Sequence, residues 1–263
     1  MSFLYSILAR MTLTEFKWLA ALIILSVSLL TGFASIAFAT RHKKQLEIGD
    51  AIANGIFIGA ALFHLFPSTV ADFQDLGIHF AYVQAISFIV FSFIILWLLE
   101  KLFLKKNQNL DRQTNVWLLT ITLSIHALIA GTALGLSDTL SIASILFIAI
   151  IVHKGFETFA FVINVYRQLG KKAQVGLMLT VFSLVTPVGI LFGIMSSTFI
   201  YAAVDKLLTA FFTAFAAGTF LYIGALHSHY LPQTHVKDNH HQYVKVIATM
   251  LGIAAMMVLS IWV

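Results

Sequence analysis

The chain has 263 residues, 60% of them hydrophobic and only 10% charged, with a formal net charge of +5. A soluble domain keeps roughly a quarter of its residues charged, so this deficit excludes soluble enzymes and nucleic-acid binders and predicts an all-α integral membrane protein. Cysteine is absent, which removes disulfide frameworks and thiolate metal sites.

A span needs about 20 apolar residues to cross a hydrocarbon core of roughly 30 Å. Eight stretches qualify in chain order: 18–39, 52–70, 78–99, 116–136, 140–165, 175–195, 207–226 and 244–263. Ahead of the first, residues 1–15 carry Arg10 and Glu15 and no small-residue cleavage site. The first run is therefore read as a retained span and not as a signal peptide. The second is the shortest and most polar, with Asn54, His64 and Pro67 inside it. The fourth and fifth are separated only by Ser137-Asp138-Thr139, so they must be antiparallel neighbours. The sixth contains Pro187, and the seventh ends on His227, ahead of a polar loop with His229, His235, His240 and His241. Every linker is short, which predicts one polytopic domain over residues 1–263.

Orientation follows from the basic residues. With the N-terminus outside, the odd-numbered loops hold Arg41, Lys43, Lys44, Lys101, Lys105, Lys106, Arg112, Arg167, Lys171, Lys172, Lys237 and Lys245. The other side holds only Arg10, Lys17 and Lys206. Basic residues concentrate on the cytoplasmic side of short loops, which predicts both termini outside, in the plasma (inner) membrane.

Ionisable side chains within hydrocarbon cost several kcal/mol unless they are paired or useful. Glu157 is the one acid, and Lys154 the one base, deep within these predicted spans; His64, His126 and His153 join them. His153 and Glu157 stand four residues apart, on one helix face. The tight turn between spans four and five carries His126 past them at similar depth. Imidazoles with a carboxylate suit Zn2+ foremost, with Fe2+, Mn2+, Co2+ or Cd2+ also compatible. A lone histidine in a span can equally hydrogen-bond a neighbouring helix, but three beside one carboxylate favour a metal site. Lys154 is read either as snorkelling or as pairing with Glu157. Gly131 and Gly135 form a G-x-x-x-G step that permits close helix approach.

The order of these pieces resembles the ZIP family of zinc and iron permeases. The second span has His64-Leu65-Phe66-Pro67, and the fourth runs from His126 to Gly131 and on through Ala133-Leu134-Gly135. The fifth has His153 to Glu157, with a Lys154 variant known in one branch of that family; the sixth has Thr186-Pro187-Val188-Gly189-Ile190. The seventh has Gly218-Thr219-Phe220-Leu221-Tyr222, continuing to Ala225-Leu226-His227. The resemblance implies a ZIP-type bundle of eight transmembrane helices. It also implies movement of the metal toward the cytoplasm, one helix bundle sliding or rocking against the other, and a histidine-bearing cytoplasmic loop. In the family that loop follows the third span, whereas residues 101–114 here have no histidine and the seventh loop does.

Two departures shape the site. Ala130 stands where the family has a central glutamate ligand, and Ala127 where it has a polar residue. With Lys154 in place of a second-ion carboxylate, the resemblance implies one metal site of His64, His126, His153 and Glu157. His227, His229, His235, His240 and His241 are secondary candidates for a loop site. The leading function is transport of a divalent transition metal, with the ion and the lipid bilayer as partners and a homodimer as candidate assembly. The alternatives are a membrane-embedded zinc hydrolase, in which bound metal activates water, and a non-transporting metal sensor.

Overall fold

The computed structural model describes residues 11–42, 45–103, 108–196, 202–226 and 239–261, and every regular element among them is helical. Helix α1 spans Leu13–Arg41, and α2 spans Leu46–Ala60. A π turn, Ala61–Leu65, joins α2 to α3, Phe66–Asp75. Then follow α4 (Ala81–Phe103), α5 (Gln108–Leu136), α6 (Leu140–Leu169), α7 (Lys172–Ser196), α8 (Ala202–Leu226) and α9 (Asn239–Ser260).

Seven of these stretches are long and apolar enough to cross a membrane, counting α2, the π turn and α3 as one run over Leu46–Asp75. In α8, the remaining expected span, the apolar described stretch is the shorter Ala210–Ala225. Large apolar side chains lie bare on the outside of α1, α4, α7 and α9, among them Leu30, Phe91, Leu177 and Leu251. Hydrocarbon, not water, is the solvent that such a surface fits. The protein is an integral, multi-pass membrane protein.

Local signals set several boundaries. Thr12 caps α1 in a reciprocal box with Glu15: the Thr12 N–H donates to Glu15 Oε2 at 2.8 Å, and the Glu15 N–H to Thr12 Oγ1 at 3.3 Å. Thr139 caps α6 by accepting from the Ile142 N–H, and Gly170 ends that helix in the left-handed region with φ 66°.

The helices sort into two bundles. In the first, α1 packs on α6 and α7, and α5 packs on α6 and α7. In the second, α2 packs on α8 and α9, while α4 packs on α8 and α3. The bundles meet along a seam where α6 faces α2 and α5 faces α8. Glycine makes the α5–α7 contact a backbone one. A Cβ on Gly131 would run into the Thr186 carbonyl, and one on Gly189 into the Leu128 carbonyl. The G-x-x-x-G step of the fourth span thus does its work against the sixth.

Two basic residues counted as loop charges have structural partners instead. Lys17 lies inside α1, buried, and its Nζ donates to the Gly135 and Ser137 carbonyls at 2.7 and 2.8 Å. It therefore caps the C-terminus of α5, where carbonyls are left open and the helix dipole favours a cation. Arg167 lies in the last turn of α6 and ion-pairs with Asp50 of α2. Lys17→Met should leave those carbonyls unsatisfied and cost about 1–3 kcal/mol. A lowered thermal midpoint of the detergent-solubilised chain would register it, and an unchanged midpoint would show that the cap contributes nothing.

Candidate metal site

His64 comes to the seam on an irregular turn. Pro67 has no N–H and its ring crowds the carbonyl four residues earlier, so a regular helix cannot pass through it undisturbed. The chain widens just before it into the π turn, in which the Phe66 N–H bonds the Ala61 carbonyl. Hydroxyls one turn on satisfy carbonyls of this stretch: Ser68 Oγ donates to His64 O and Thr69 Oγ1 to Leu65 O, both at 2.8 Å. Such a bulge re-aims side chains, and here the re-aimed residue is His64.

His126 arrives from α5, and His153 and Glu157 from α6. All four line one cavity, whose apolar wall includes Phe57, Phe220 and Met256. The His153 ring is central. Its centroid lies 4.8 Å from that of His64 and 6.3 Å from that of His126. Two imidazoles sharing one tetrahedral zinc at ordinary Zn–N lengths would have centroids about 5.2 Å apart. The His64–His153 pair is near that separation, and the His126–His153 pair is about 1 Å wider. Among the described residues, no three His, Asp or Glu side chains are closed into a ready-made ligand group. The four surround a common space and are slightly open.

His153 and Glu157 are buried, whereas His64 and His126 are half-buried. The His126 ring rests edge-on against Phe220, with centroids 5.6 Å apart and planes at 69°. Glu157 Oε1 has no hydrogen-bond partner, and His153 Nδ1 makes no well-formed bond, only a loose approach to the Ala149 carbonyl one turn earlier. Buried polar atoms are normally satisfied, so the bare Glu157 Oε1 on the cavity wall is a position a cation could fill.

Lys154 does not line the cavity. It is 1% exposed and donates to Glu157 Oε2 at 3.0 Å, with its Nζ 4.1 Å from the centroid of the Phe182 ring of α7. Of the two readings of this lysine, local pairing is the one the structure takes. Ala130 is not among the residues that line the cavity; half-buried, it packs against the apolar cluster of the first bundle that includes Leu134, Ile150 and Ile190. Ala127 is buried in the main core.

His227, His229 and His235 lie outside the described residues. His240 and His241 fall on the backbone of the first turn of α9, with their side chains outside the description. The sequence reading missed Asp50, which it left ahead of the second span. Asp50 is buried inside α2 beside Asn54. A signal existed: Leu46, Gly49, Asp50 and Ala53 continue the helical period of the span back toward Lys44.

Comparison with known proteins bears on the same stretch of chain. A family described as ZIP Zinc transporter matches residues 105–260, which include His126, His153, Glu157 and Pro187. The protein called Zinc transporter ZIP1 of Takifugu rubripes is 34% identical over 144 residues, covering 55% of this chain and 46% of the relative. Protein zntD of Dictyostelium discoideum is 33% identical over 56% of this chain and 21% of its own length. Zinc transporter 11 of Arabidopsis thaliana is 22% identical over 93% of this chain and 84% of its own length. The chain thus spans less than half the length of the first two relatives. With the family match extending over more than half of its residues, this chain belongs to the ZIP family.

Proposed function

We propose that the protein carries a divalent transition-metal ion, zinc foremost, across the bilayer through the cavity shared by His64, His126, His153 and Glu157. The direction is toward the side of the basic loops, with both termini on the opposite side, as the distribution of Lys and Arg favours. Zinc is also the metal for which two of the relatives are named.

The observation that carries this reading is the division of the four side chains between the bundles. His126, His153 and Glu157 belong to the first bundle, and His64 belongs to the second. A cation held by all four loses a ligand whenever one bundle slides along the other. Affinity then falls with the same motion that would open the site to one side.

The electrostatics favour brief residence too. Lys154 and Glu157 together contribute no net charge. The two charges of the ion are therefore balanced only by imidazole lone pairs and by a carboxylate already shared with an ammonium. A hydrolytic use of the metal would need a further acid or base beside the bound water, and Glu157 is the one carboxylate among the described lining residues.

The test is zinc uptake into vesicles containing only this protein. His126→Ala removes one of three imidazoles without disturbing the Lys154–Glu157 pair, so uptake should fall at least about tenfold while insertion is unchanged. Wild-type rates in the His126→Ala vesicles would remove the cavity from the transport path. Absence of uptake by the wild-type protein, with zinc still bound, would favour the sensor reading instead.

A further inference from the structure

Beyond the four cavity residues, the seam holds a second group of polar side chains toward the end at which α2 begins and α6 ends. Asp50 and Asn54 lie one turn apart on α2, 1% and 5% exposed, with Asn54 Nδ2 3.3 Å from Asp50 Oδ2. Arg167, reaching across from α6, ion-pairs with the same Asp50 oxygen. Two oxygens on α2 remain without a hydrogen-bond partner, Asp50 Oδ1 and Asn54 Oδ1. On α6, Gln168 Oε1 is likewise bare, although its amide donates to Asn164 Oδ1 at 2.6 Å. Each unsatisfied buried acceptor disfavours the folded state, and all three are oxygens that only a cation or a donor can satisfy. Fourteen residues separate His153 from Arg167, so the group lies about 21 Å along α6 from the central imidazole.

We propose that Asp50 and Asn54 form a second, transient subsite for the transported divalent cation, with the Arg167 guanidinium as the counter-ion that holds it when no metal is there. This deepens the transport reading and rests on it for the identity of the cation. One carboxylate and one amide oxygen on adjacent turns make a hard, all-oxygen donor pair. Such a pair holds a borderline ion more weakly than imidazoles do. A cation leaving the histidine cavity on the basic-loop side would meet this pair next, and low affinity is what release requires. Arg167 belongs to the first bundle and Asp50 to the second. Sliding of the bundles therefore separates them and uncovers the carboxylate as the cation arrives. Lys245 of α9 also acts on Asp50 but pairs with Glu47, so it remains in place when Arg167 withdraws.

The bland alternative is an ion pair that only joins the bundles. Two measurements on the purified full-length chain separate the readings. First, zinc bound at equilibrium dialysis should rise from about one to about two per chain in Arg167→Gln, and return to about one when Asp50→Asn is added. A count unchanged by Arg167→Gln overturns the proposal. Glu157→Gln with Lys154→Met should lower each count by about one. If it lowers none while Arg167→Gln still adds one, the histidine cavity fails as a site and this subsite stands. Second, the charge swap Asp50→Arg with Arg167→Asp preserves an ion pair, and with it the fold, but moves the carboxylate away from Asn54. Uptake should stay at least about tenfold below wild type, whereas recovery to the wild-type rate would show that the pair is merely structural.

Discussion

A chain carrying Glu157→Gln together with Lys154→Met is expected to fold and insert, yet to bind zinc at least about 100-fold more weakly than wild type. The floor for that number comes from metal sites generally, where loss of an outer-shell partner alone costs about 10–100-fold, and Glu157 is the one carboxylate on this cavity. The pairing of the two substitutions follows from the contact between them. Glu157 accepts from Lys154, which is enclosed against Phe182. Removing the glutamate alone would strand an ammonium in an apolar interior, at a cost of about 3–5 kcal/mol. Glu157→Ala by itself would therefore lose uptake for two reasons that activity cannot separate. The double variant takes both charges away in a space that methionine fills flexibly. Zinc titration of monodisperse protein decides the matter, and wild-type affinity in the double variant would mean that Glu157 does not reach the ion. Lys154→Met alone should go the other way, tightening zinc binding by about tenfold or more, since it leaves the carboxylate without a competing cation.

The second large effect concerns the support beneath His126. Gly189→Leu should cost about 3 kcal/mol or more, at the top of the range for overpacking. The usual relief in a crowded core is rotation of a neighbouring side chain. Here the obstacle to a Cβ at Gly189 is the Leu128 carbonyl, with the Thr132 amide also close, and backbone cannot rotate away. The helices α5 and α7 would have to separate, carrying His126, two residues before Leu128, away from His153. Zinc binding and the thermal midpoint should therefore fall together. Gly176→Ala in the same helix is the control: a Cβ there meets open space, and stability should be unchanged or raised by up to about 1 kcal/mol. If Gly189→Leu melts with wild-type protein, the close approach of the two helices is not a source of stability.

How much of this was legible beforehand varies with the kind of residue. His126, His153 and Glu157 could be singled out because polar groups deep in an apolar run stand out against their neighbours. Their nearness to one another followed from a three-residue turn and a four-residue spacing. His64 was placed in the right span, but the π turn that carries it was not foreseen, since Pro67 alone does not say whether a helix kinks, breaks or widens. Asp50 was assigned to the wrong side of a boundary. A charged residue near the end of a span looks like a loop residue until its partner is known, and that partner, Arg167, is 117 positions away.

By itself the sequence determined the class of protein, the approximate spans and the inventory of candidate ligands. Those properties depend on local composition and on the high cost of charge in hydrocarbon, which operates residue by residue. Tertiary structure alone decided that Lys17 closes the end of α5, that Lys154 turns from the cavity to Glu157 and Phe182, and that Ala130 faces a core. It also decided that the four candidate ligands are shared between two bundles. Each of these outcomes is a choice of neighbour among helices far apart in the chain. Many apolar helix faces are interchangeable in composition, and only the fit of glycine against carbonyl and of cation against open acceptor selects which of them meet.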